Sequence, residues 1–139
     1  MSITQNSVYN QNEESRKHRF NIFMLAVPDA EMKLCERVPF ALRIKSVRAV
    51  CDSYSFRFKL KRTYTISGNT YTETPSAVNN ILVGTLGVDC DLTSEEGGGW
   101  YMRQGDILTI DTNLVDGVTA RNGLVEIFAI RETYDDYTT

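Results

Sequence analysis

The residues able to do chemistry in this chain are few. There is one histidine, His18, flanked by Arg16, Lys17 and Arg19 in a polar N-terminal stretch. A Ser-His-Asp or Cys-His arrangement needs its imidazole packed in a formed site, and a histidine among cations in a polar arm is a poor general base. The cysteines Cys35, Cys51 and Cys90 are odd in number and widely spaced. No C-x-x-C pair exists, which excludes a zinc knuckle or a thioredoxin-like motif. Cys51 and Cys90 lie at or beside strand-like runs and read as small buried thiols. Asp89 and Asp91, close to Glu95 and Glu96, offer oxygens of the kind calcium takes. No EF-hand or other loop motif accompanies them, so they read as a solvated acidic edge. Nothing singles out a carboxylate pair for glycoside hydrolysis. Gly97-Gly98-Gly99 lacks the Lys-Ser/Thr of a phosphate-binding loop and leads into no helix. The expectation is a non-enzyme with no catalytic residues, no metal and no cofactor.

Binding is better provided for. Trp100 and Tyr101 follow the triple glycine directly. Aromatics on a loop rim stack on sugars or anchor partners, while a tryptophan is as often core or core-edge. Arg57, Lys59, Lys61 and Arg62, with Arg43, Lys45 and Arg48 nearby in sequence, form a basic stripe. The isoelectric point of about 5.2 and the absence of an RNA-binding aromatic motif argue against nucleic acid as the partner. An acidic protein surface fits the stripe better, including the chain's own. Residues 1–66 carry 12 Lys/Arg against 6 Asp/Glu, and residues 67–139 carry 3 against 12. Such halves either interleave, basic strand beside acidic strand, or face each other across a contact between copies.

The elements that must position these groups are strands. From Tyr54 to Ile66, Tyr54, Phe56, Phe58, Leu60, Tyr64 and Ile66 take even positions, while Arg57, Lys59, Lys61, Thr63 and Thr65 take odd ones. Side chains alternate across a strand with period two, so this segment has one apolar and one basic face. Gly68-Asn69 supplies a hairpin turn, returning Tyr71 opposite Ile66. In Phe40–Val50 the apolar phase shifts from even (Phe40, Leu42, Ile44) to odd (Val47, Ala49), which predicts a bulge. Phe20–Val27 reads as a buried strand, and Leu86, Val88, Cys90 and Leu92 alternate against Asp89 and Asp91. Asp29–Val38 is the one helix candidate, with Asp29 as cap, Met32, Cys35 and Val38 on one face, and Pro39 as stop. Asp116-Gly117 and Asn122-Gly123 are read as turns needing positive φ.

About eight short strands result, the pattern of an all-β antiparallel sandwich of jelly-roll kind. The 139 residues suit one domain. Residues 1–19 are expected to be a polar N-terminal arm and residues 20–139 the β-sandwich. No apolar run reaches the length of a membrane-spanning helix, and the N-terminus lacks the apolar core of a secretory signal.

Gly105-Asp106-Ile107-Leu108-Thr109-Ile110 and Asn122-Gly123-Leu124-Val125-Glu126-Ile127 carry a family resemblance. A "GD-apolar-Thr-apolar" strand and an "NG-apolar" closing strand are similar to those of small jelly-roll virion proteins of tailed bacteriophages, the capsid auxiliary, decoration or cement proteins. The resemblance covers the second half of the chain, and sugar-binding sandwiches share its motifs. It implies a homo-oligomer on a capsid or tail, assembled in the host cytoplasm, with the major capsid protein or other virion subunits as partners and the arm as tether. The expected contact residues are Val8, Tyr9, Arg16 and Arg19 in the arm and Trp100 and Tyr101 on the sandwich. The competing expectation is a carbohydrate-binding or receptor-binding module built on Trp100, Tyr101 and the acidic residues around them.

Overall fold

The computed structural model describes residues 17–132. They form ten strands and one 3-10 turn at Ser76–Val78. The strands are β1 (Lys17–Ala26), β2 (Ala30–Cys35), β3 (Leu42–Val50), β4 (Phe56–Ile66), β5 (Asn69–Glu73), β6 (Ile81–Val83), β7 (Val88–Asp91), β8 (Trp100–Met102), β9 (Ile107–Leu114) and β10 (Arg121–Arg131). All pairings are antiparallel. One sheet runs β1-β10-β3-β7, with β8 also on β3; the other runs β2-β9-β4-β5, with β6 also on β4.

The pairing is nested. β1 meets β10, β2 meets β9, β3 meets β7 and β8, and β4 meets β5 and β6. A long antiparallel ribbon rolled up on itself produces this order, and the two sheets are its two walls. This is the double-sheet jelly roll expected from the strand tally.

β4 behaves as its alternation predicts over its first half. Phe56, Phe58 and Leu60 are fully buried, and with Leu108 and Ile110 of β9 they face Leu42, Ile44 and Val47 of β3 and Val125 and Ile127 of β10. The ends of the even row depart from it. Tyr54 precedes the strand with φ of 64° and is exposed, as is Ile66. The hairpin turn is Ser67-Gly68, both with positive φ, so Ile66 pairs with Asn69 and Tyr71 with Tyr64. Two consecutive positive-φ residues suit the right-handed twist of a tight hairpin.

The predicted bulge in β3 is present. β10 pairs Phe128 with Ser46 but Ala129 with Ile44, leaving Lys45 as the extra residue. Leu42 and Ile44 on one side of it and Val47 and Ala49 on the other therefore all point into the core. The bulge also divides the next edge, with β8 pairing before Lys45 and β7 after it.

Other sequence expectations are corrected as well: the Phe20–Val27 run, read as a buried strand, lies up to Ala26 in the edge strand β1, with Phe23 and Leu25 exposed. Residues 30–35 form strand β2 on the edge of β9, not a helix. The i, i+3 spacing of Met32, Cys35 and Val38 imitates a helical face, but β2 alternates with Glu31 and Lys33 outward, and a neighbouring strand satisfies its backbone. Leu86 lies outside β7 and is fully exposed. Asn122-Gly123 sits inside β10, although Asn122 does have φ of 52°. Gly123 is there for close approach: a Cβ would stand 2.6 Å from Val27 Cγ2. By contrast Asp116-Gly117 is a turn, closed by the Val115–Val118 bridge.

Candidate functional site: a charged cleft at one flank of the sandwich

Where β8 of one sheet comes alongside β5 of the other, the walls are bridged by polar side chains. A cleft of about 560 Å³ opens there, lined by Arg43, Arg62, Glu73, Glu95, Glu96, Trp100 and Tyr101 with Gly97 and Gly99.

Arg62 is the centre of this region. It occupies an even position of β4, so its side chain points to the core side with Phe58 and Leu60. Its side chain is 9% exposed and that of its partner Asp106 is 5% exposed. Arg62 Nε donates to Asp106 Oδ2 at 2.6 Å, and the same oxygen accepts from the Arg103 amide at 2.8 Å. Asp106 thus closes the Arg103–Asp106 turn and neutralises a buried guanidinium at once. On its other side Arg62 Nη1 stands 3.6 Å from Glu73 Oε1, its cross-strand neighbour on β5. That oxygen accepts from Trp100 Nε1 at 2.6 Å. The chain Trp100–Glu73–Arg62–Asp106 therefore ties β8, β5, β4 and the start of β9 together. Planar groups stack outside it: Arg62 lies 4.1 Å from the Tyr64 ring centroid, and Tyr64 stacks on Tyr71 at 5.5 Å. Cation–π contact of this kind adds to the Coulomb attraction.

The other wall is the acidic, glycine-rich loop between β7 and β8. Arg43 Nη1 donates to Glu96 O at 2.9 Å and Gly99 O at 3.2 Å, and Lys45 Nζ donates to Gly98 O at 2.6 Å. Arg43 also forms an ion pair with Glu132 and lies 4.9 Å from the Tyr101 ring centroid. Gly97 has φ of 78°, and a Cβ there would collide with the Arg43 guanidinium at 2.5–2.7 Å. Glycine at this point is what lets the loop lie flat on Arg43.

The remaining charges interleave. Arg48 pairs with Asp89 at 2.9 Å, Lys61 with Glu31 at 2.6 Å and Lys59 with Asp111 at 4.0 Å. Most of these pairs join the basic first half of the chain to the acidic second half, across neighbouring strands. Asp91 accepts from the Thr93 hydroxyl and amide at 2.7 and 2.9 Å, which hold its carboxyl below the usual carboxylate range. Burial pushes the Cys51 and Cys90 thiols up, with Asp52 and Asp89 respectively adding to the shift. Among the described residues no three His, Cys, Asp or Glu side chains are grouped to hold a metal ion. No helix there is long and apolar enough to cross a membrane.

Of the expected contact residues that the structure describes, Trp100 and Tyr101 border the same cleft and Arg19 lies apart from them. Trp100 is 3% exposed, so its ring is core and offers no stacking face. Tyr101 is half-buried on the opposite side of β8, against Arg43. Arg19 belongs to β1 and lies over the Phe128 ring at 5.6 Å, with β10 and β3 between it and Tyr101. Lys17–Arg19 open β1, while Val8, Tyr9 and Arg16 lie outside the described residues. The residues that sequence reasoning missed are Arg62, Glu73 and Asp106. Arg62 does not belong to the basic stripe, because its even number places it on the apolar face of β4.

No known family profile matches the chain, and no curated protein matches it. Solved structures similar to it include chains of infectious bursal disease virus particles. One viral particle gives a TM-score of 0.42 at 12% identity, over 84% of this chain and 31% of that one. The Gt strain of that virus gives 0.40 at 13% identity, over 84% and 35%. A mutant VP2 protein of the virus in T=1 particles gives 0.43 at 12% identity, over 84% and 36%. The chain spans about a third of the length of these virus-particle proteins.

Proposed function

We propose that this chain is a non-enzymatic structural subunit of a virion, a decoration or cement protein that binds an assembled particle through its N-terminal arm and its sandwich surface. The observation that carries the reading is the closure of the polar cluster. At the charged cleft beneath the β7–β8 loop, Arg62, Glu73 and Trp100 are engaged with one another and with Asp106 behind them, and Arg43 is engaged with Glu132 and the loop carbonyls. A general acid or base must be poised near a substrate proton, whereas these groups act as a clamp between two sheets. A clamped jelly roll whose GD and NG strands resemble those of phage virion proteins fits a mechanical task. Each copy would add buried area across a seam between subunits, and binding confined to the assembled state stabilises that state by mass action.

The test is copurification. A tagged full-length chain, produced in cells making the particle, is expected to band with intact particles on a density gradient and to resist washing. The variant Val8→Asp/Tyr9→Asp is expected to stay folded and leave the particle fraction. Particles purified free of the wild-type chain would overturn the proposal. Specific binding on a glycan array, lost in Tyr101→Ala, would favour the carbohydrate-binding alternative.

A further inference from the structure

β7 and β8 pair with the same side of β3, with the Lys45 bulge between their registers. They are one interrupted strand, and residues 92–99 are the excursion that interrupts it. Leu92 is still anchored, buried and donating its amide to Lys45 O at 2.9 Å. Beyond it the loop's backbone bonds close on the loop itself, Glu95 N to Leu92 O at 3.1 Å and Gly98 N to Glu95 O at 2.9 Å. Side chains of β3 hold the loop to the sheet. The Arg43 guanidinium donates to Glu96 O and Gly99 O, and the Lys45 ammonium to Gly98 O. The fit is close: a Cβ on Gly97 or Gly99 would come within 3.0 Å of Arg43. A glycine-rich segment held through side chains and not through the ladder opens at lower free energy than the strands around it.

We infer that residues 93–99 are a flap on β3, that Arg43 is its latch, and that Glu132 sets the latch, so that displacing the chain at Glu132 releases the flap. Glu132 stands just past the end of β10 and donates its amide to Ala41 O at 2.9 Å. Its side chain is 8% exposed and pairs with Arg43 Nε. β3 lies between β10 and β8, so the Arg43 side chain joins a carboxylate on one flank of its strand to the loop on the other. The planar guanidinium carries the coupling, because its donors form a rigid fork. Nη1 meets two loop carbonyls while the plane is fixed, and the plane is fixed by the carboxylate at Nε and the Tyr101 ring beneath it. Without the carboxylate the plane turns, and the carbonyls lose their charged donor to water. The flap is also one wall of the charged cleft, through Glu95, Glu96, Gly97 and Gly99. Its release opens the cleft toward Tyr101 and Trp100.

Coupling between two contacts is reciprocal, and amide exchange in the full-length chain reads both directions. Glu132→Gln is expected to speed exchange at Glu95 and Gly98 at least ~tenfold. Acrylamide quenching of Trp100, the single tryptophan of the chain, should rise with it. Gly97→Ala places a methyl against the Arg43 guanidinium and should speed exchange at the Glu132 amide. Arg43→Met should do both. Arg48→Met removes another ion pair of the same strand, that with Asp89, and should do neither. Amides of β4 and β9 should keep wild-type rates throughout. Loop amides unmoved by Glu132→Gln, or a Glu132 amide unmoved by Gly97→Ala, would overturn the latch. So would an acceleration that reaches β4 and β9 equally, since the contacts would then serve global stability alone. None of these readings involves particle binding, so the latch and the assembly proposal fail separately.

Discussion

Replacing Arg62 by methionine tests whether the polar chain is a clamp. The side chain keeps most of its length and loses its charge. Asp106, 5% exposed, is left with only the Arg103 amide. Removing one partner of a buried ion pair costs about 3–5 kcal/mol, because the other charge stays desolvated. The Glu73 contact adds little, since that carboxylate is 42% exposed and solvent screens it. The amide still held by Asp106 puts the total near the lower bound, at about 3 kcal/mol. For a chain of this length that lowers the melting temperature by about 10 °C. Asp106→Asn retains an oxygen for the Arg103 amide and leaves Arg62 beside Glu73, so it should cost less, about 1.5–2 kcal/mol. The double variant contains no stranded charge and should fall short of the summed costs by at least ~1.5 kcal/mol. Urea unfolding at constant m-value measures all three. A cost below about 1 kcal/mol for Arg62→Met, or additivity within ~0.5 kcal/mol, would refute the clamp.

Gly123→Ala should destabilise the fold by about 1–3 kcal/mol, because the new methyl would meet Val27 Cγ2 at 2.6 Å in a packed interior; thermal melting reads the loss directly. Under native conditions a thiol reagent should modify the half-exposed Cys35 first, while Cys51 and Cys90 are shielded and held protonated by burial. Mass spectrometry should find all three modified only after unfolding. Thr93→Ala should raise the Asp91 pKa toward the usual carboxylate range, as followed by carboxyl NMR. Since the native value is the lowered one, the stabilisation by Thr93 is present above the ordinary carboxylate pKa and vanishes as pH falls through the native one. The variant's stability deficit should therefore close in acid.

Much of the fold is written in local periodicity. Phe56, Phe58 and Leu60 reveal a half-buried strand, and the change of phase between Ile44 and Val47 reveals the bulge at Lys45. Periodicity fails where burial is shallow. β2 lies on an edge, its apolar residues are only partly covered, and Met32, Cys35 and Val38 match a helical template as well as a strand. The cleft was less legible for a different reason. The parity of Arg62 was enough to place it inward, but not to show what would meet it. Glu73 reaches it through the β4–β5 register, Asp106 through a turn more than forty residues away, and Trp100 from the other sheet. Those are products of topology, and no window of sequence contains them.

The nested pairing also bears on how the molecule is made. Of the described strands β1 leaves the ribosome first, yet its partner β10 is the tenth, and β2 likewise waits for β9. The inner pairs, β4 with β5 and β6 and then β3 with β7 and β8, are the ones that can close before β9 and β10 are made. Contacts so distant in sequence make folding slow, and apolar strands left waiting are prone to aggregate. A nascent chain stalled before Arg121 should therefore remain protease-sensitive through β1, however long the stall is held, and emergence of β10 should be the event that lets the roll shut.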